Sequence, residues 1–131
     1  MNKTNSVRTQ ISVGVSLIAG FYLFGAIVLL ISLFTYPVVV SRSVADAHGL
    51  PPAVDAFILP IVACIALLIA YGLITCAKWG YFLTITYLFI FGSVSFWLMS
   101  QNMQQPYIGN STWSVLALLY LVWKRKYFLS R

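Results

Sequence analysis

The sequence predicts an all-α membrane protein: a single domain in which four transmembrane helices form a bundle of two antiparallel hairpins. Three observations carry the prediction. Of 131 residues, 61% are hydrophobic and only 8% are charged, against about 25% charged in an average soluble domain. So small a soluble domain buries only about two-thirds of its unfolded surface, so lipid is the economical place for this much apolar side chain. Apolar runs at about residues 11–34, 56–76, 81–99 and 107–123 alternate with short polar segments at 35–55, 77–80 and 100–106. Finally, the basic residues gather at alternate breaks. The net charge of +6 therefore points to residues flanking membrane spans rather than to nucleic acid.

The first run, about 24 residues, is long enough to cross with some tilt and too long for a signal-peptide core. Ser12, Ser16 and Gly20 recur every four residues along it. Small residues on one face let helices approach closely in lipid, and the expected neighbour is another helix of the same chain. Tyr36-Pro37 ends the span, since proline has no amide proton with which to continue a helix. Residues 35–55 then form an outer loop that holds Arg42, Asp46, His48 and Asp55, with both acids and the sole histidine of the chain. Asp46 and His48 invite a metal, but two donors fall short of the four a closed site usually needs. A solvated loop is expected.

In the second run Ala63, Ala66 and Ala70 lie at near-heptad spacing, a small-residue face matched to that of the first helix. The only cysteines, Cys64 and Cys76, lie twelve residues apart. That is about 18 Å along a helix, far beyond the reach of a disulfide. The turn at 77–80 carries Lys78, Trp79 and Gly80, and the glycine is expected to supply the tight reversal. The third run is dense in aromatics, among them Tyr81, Tyr87, Phe91 and Trp97. A cofactor or quinone pocket is the sharp possibility. With no histidine inside a run to ligate a cofactor, ordinary packing is expected and no cofactor is assigned. Asn110-Ser111-Thr112 has the form of a glycosylation sequon but lies beside the membrane, where no role is expected for it. The fourth run has about 17 residues, the lower limit for a span, and Lys124-Arg125-Lys126 stops it.

Four spans place Lys3, Arg8, Lys78, Lys124, Arg125, Lys126 and Arg131 on one side and Arg42 with both acids on the other. The positive-inside rule then puts both termini in the cytoplasm. Two patches resemble a loose class of small bacterial four-helix inner-membrane proteins of unknown function. One is Gly72-Leu73 followed by Lys78-Trp79-Gly80; the other is Tyr120-Leu121, the basic cluster and Tyr127-Phe128. The resemblance implies an inner-membrane location and no activity.

No Asp, Glu, Lys, Arg or His falls within a run, which counts against proton-coupled transport, and no base accompanies the membrane hydroxyls to activate them. No catalytic or metal residue is expected. The sequence instead suggests a non-enzymatic protein that works through helix contacts in the bilayer with another membrane protein or itself, as an accessory, assembly or protective factor. The alternative is a homo-oligomeric pore or passive carrier lined by Ser12, Ser16, Thr84 and Thr86.

Overall fold

A computed structural model describes residues 11–130, and the elements among them are all helical. In order they are α1 (Val13–Thr35), α2 (Pro37–Ala47), a one-turn 3-10 helix (Pro52–Val54), α3 (Asp55–Ile74), α4 (Lys78–Gln101), α5 (Tyr107–Trp123) and α6 (Arg125–Leu129). Three stretches are long and apolar enough to cross a membrane: Val13–Thr35, Pro52–Ile74 and Lys78–Gln101. The fourth long helix, α5, has 17 residues and a length of about 25 Å at 1.5 Å per residue.

Helix α1 lies along α3, and α4 along α5; α3 joins the two pairs. Helix α1 presents Val15, Ile18, Ala19, Tyr22 and Ala26 to the interior, a stripe at the i, i+3, i+4, i+7 spacing of one helical face. From α3 come Val62, Ala63, Ala66, Ile69, Ala70 and Leu73. This corrects the expected pairing of small-residue faces. The alanines of α3 are buried, but Ser16 and Gly20 are exposed. The chain uses the adjacent face of α1, whose larger side chains fill more space against the alanines.

The outer loop is also corrected, because most of it is helix α2. Pro37 sits at the first helical position, where its missing amide proton costs nothing. Arg42 and Asp46 then form an i, i+4 ion pair at 2.6 Å. Buried Ser41 and Ala45, also four apart, give the helix one inward face.

At the opposite end the reversal between α3 and α4 is Thr75-Cys76-Ala77, which begins two residues before the turn expected at 77–80. Cys76, not Gly80, takes the left-handed conformation, with φ +52°. The Ala77 amide donates to the Gly72 carbonyl at 3.0 Å and the Cys76 amide to that of Leu73 at 3.2 Å, as in a capped helix end. Lys78, Trp79 and Gly80 form the first turn of α4. Gly80 instead allows contact: a Cβ on either Gly72 or Gly80 would overlap the backbone of the other. The two helices thus touch main chain to main chain, with the Tyr71 and Trp79 rings stacked beside them.

The same end gathers both ends of the described residues. Phe128 of α6 is fully buried and stacks on Tyr81 with centroids 5.1 Å apart. Ser12, before α1, shares a 2.6 Å hydrogen bond with the Tyr120 hydroxyl of α5. The start of α1, the α3–α4 turn and the end of α5 therefore lie together, and α2 lies at the far end.

Candidate functional site

At the far end α2 folds back over the long helices. Arg42 reaches Asp46 on its own helix and, at 3.5 Å, Asp55 at the start of α3. Asp55 also sits in the first turn of α3, where a negative charge favours the helix. One guanidinium thus engages both carboxylates of the chain and ties α2 to α3.

His48, at the end of α2, is not solvated as a loop residue would be. It is half-buried, its ring 4.7 Å from that of Phe91 and 6.2 Å from that of Tyr87 on α4. Burial pushes its pKa below the ordinary 6.5, so the ring is neutral at pH 7. Nδ1 lies 2.8 Å from the Val44 carbonyl, and Nε2 lies 3.0 Å from the Tyr87 hydroxyl. A carbonyl only accepts, so Nδ1 carries the proton and Nε2 accepts from Tyr87. The result is a short chain of hydrogen bonds from the Tyr87 hydroxyl through His48 to the α2 backbone.

Beneath it the bundle is open between α1 and α5, which meet chiefly through large side chains such as Phe21 and Trp113, 4.4 Å apart at their centroids. A cavity of about 360 Å³ lies there, walled by Phe21, Tyr22, Tyr87, Phe91 and Trp113, with Asn110 at one edge. A second, of about 460 Å³, continues it through the shared walls of Phe21, Gly25, Leu29, Val62, Phe91 and Asn110 and reaches Ser43 and His48. Gly25 leaves this space open: a Cβ there would meet nothing within 4 Å. Volume and lining fit a small-molecule site, mostly apolar with a few polar groups. The side-chain amide of Asn110 is its polar edge, and the indole N–H of Trp113 is buried against Tyr22.

A separate cavity of about 320 Å³ lies in the groove between α4 and α5, beside Gly92, Ser93, Ser111 and Ser114. A Cβ on Gly92 would crowd Ser114 at 2.8 Å, so these helices are close. The buried hydroxyls of Ser95, Ser111 and Ser114 lack hydrogen-bond partners.

The residues singled out from sequence are dispersed. Ser12 is bound to Tyr120, Ser16 and Gly20 face outward, and Ala63, Ala66 and Ala70 are interior. Lys78 and Arg125 and Lys126 are exposed, and Lys124 lies over the Trp123 ring, 4.4 Å from its centroid. Thr84 is buried and donates to the Gly80 carbonyl, whereas Thr86 is exposed. None of Ser12, Ser16, Thr84 and Thr86 lines either of the two joined cavities. Among the described residues no three His, Cys, Asp or Glu side chains group as metal ligands. Sequence reasoning missed Tyr22, Asn110 and Trp113 as a shared wall, because it placed the histidine in water and so gave the aromatics no polar focus. No family model, curated protein or solved structure matches this chain in comparisons with known proteins.

Proposed function

We propose that this is a four-span protein of the bacterial inner membrane, with both termini in the cytoplasm, that acts without catalysis by packing against a helix of another membrane protein, as an accessory, assembly or protective factor. The observation that carries the proposal is the exposed Ser16–Gly20 face of α1. Gly14, Gly72, Gly80 and Gly92 each have a close neighbour where a Cβ would lie, while Gly20 has none within 4 Å. A small-residue face suits a helix partner because close approach, rather than apolar burial, drives association in lipid. The four-span arrangement is supported by the placement of Phe128 against Tyr81, which sets the basic end of α5 beside the α3–α4 turn. It then shares a side with Lys78, as the positive-inside rule favours. The pore alternative draws no comparable support, since its four hydroxyl residues do not converge.

The test is a photocrosslinking residue at position 17, exposed beside Gly20 on α1, with position 89 on the exposed face of α4 as control, followed by native mass spectrometry in mild detergent. A stoichiometric second protein captured from position 17 and not from position 89, and lost when Gly20→Leu is added, is the expected result. A complex unaffected by Gly20→Leu, or turnover by the purified protein alone, overturns it.

A further inference from the structure

The basic end of the molecule does more than set topology. We propose that the seam between α1 and α5 there holds one anionic phospholipid, its acyl chain in a groove between the two helices and its phosphate at Lys124. The reading takes from the four-span arrangement only that the seam faces the bilayer, and it needs no protein partner.

The groove follows from the way α1 and α5 meet. A Cβ on Gly14 would overlap the Tyr120 ring, so this glycine lets the ring cross to the Ser12 hydroxyl, 2.6 Å away. Tyr120 thus closes the seam at its basic end. Above it a cavity of about 260 Å³ remains. Buried Ile18 and Ala117 form its floor, and Leu17 and Leu116, 67% and 60% exposed, form its rim. In a membrane it opens to lipid chains.

Charge selects the head. Lys124 follows Tyr120 by one helical turn, its amide bonded to the Tyr120 carbonyl at 3.0 Å, so it stands on the same face at the mouth of the groove. Arg125 and Lys126 come next. The stack of Phe128 on Tyr81 holds α6 against the start of α4, where Lys78 lies one turn before Tyr81. The chain has only two acidic residues, and Arg42 engages both at the far end. The four cations at the basic end therefore make no ion pair with a side chain among the described residues. Exposed Trp79 and Trp123 suit the boundary between membrane and water.

Neither feature selects a ligand by itself, since any lipid tail fits the groove and any anion answers the cations. Because they adjoin, they select a molecule that is both, an acyl chain ending in a negative head. Basic pockets beside membrane helices recognise acidic lipid heads in this way.

The experiment is native mass spectrometry of the full chain in mild detergent, with phosphatidylglycerol or phosphatidylethanolamine of matched acyl chains. One phosphatidylglycerol per chain is expected, retained about tenfold over phosphatidylethanolamine and about fivefold less in Lys124→Gln. Arg42→Gln removes the same charge at the far end and is expected to change nothing. Leu116→Trp narrows the groove from its exposed rim and is expected to lower retention of both lipids about fourfold, the effect of about one buried methylene. Equal retention of the two lipids overturns the proposal. An equal loss in Arg42→Gln also overturns it, by reducing the effect to net charge. Unsubstituted protein supplies a measurement that no misfolded variant can spoil: glycerol phosphate, the head without the chain, is expected not to displace phosphatidylglycerol. Displacement at equal concentration overturns the site and assigns the cations to a soluble anion.

Discussion

Single glycines separate contact from vacancy in this molecule. Gly72 and Gly80 hold α3 and α4 at main-chain contact, so Gly72→Ala forces the hairpin apart. Overpacking of this kind costs about 1–3 kcal/mol, which thermal unfolding in detergent will show as a lowered midpoint. Gly20→Ala meets nothing and is expected to stay within about 0.5 kcal/mol of wild type in the same measurement. His48 gives a second prediction at this scale. Its folded pKa is depressed by burial, so below about pH 6.5 the unfolded chain binds a proton that the folded chain resists. Stability therefore falls as pH drops through that value and on toward the folded pKa. The unfolding midpoint measured from about pH 7.5 to about pH 5.5 should fall more in wild type than in His48→Asn.

Helix α2 is the element on which sequence and structure part most clearly. The long helices were legible because a run of twenty apolar residues has few other fates in so uncharged a chain. Helix α2 was hidden because Val38, Val39 and Val40 are poor helix formers and because Arg42, Ser43, Asp46 and His48 resemble a solvated loop. Its stability comes from tertiary contacts that composition does not display: Ala45 packs with Ile58 and Val62, and Arg42 reaches Asp55. The candidate cavity was half legible for the same reason. Tyr87 and Phe91 stood out as aromatics, but only the fold of α2 brings His48 to them. The tether predicts its own mutant. The ion pairs are partly exposed and together worth about 0.5–1 kcal/mol, so Arg42→Ala should speed amide exchange in α2 by about three- to fivefold and leave α3 unchanged.

At the scale of the whole molecule, the two helical pairs are joined at one end by aromatic and hydroxyl contacts and at the other by α2. If α5 crosses the membrane, the two ends of that helix face opposite compartments. Single cysteines introduced as Gln105→Cys and Lys126→Cys, in a chain with Cys64 and Cys76 changed to Ala, are then expected to differ: a membrane-impermeant maleimide added to intact spheroplasts labels the first and not the second until the membrane is opened. Equal labelling of both places α5 on one surface. The contact of Gly72 with Gly80 has a further consequence for biogenesis. With only Thr75, Cys76 and Ala77 between them, α3 and α4 have no slack to enter the bilayer as separate events. The hairpin is therefore expected to insert as one unit, with α3, the more apolar, drawing in α4, whose Thr84, Thr86, Ser93 and Ser95 make it the weaker entrant.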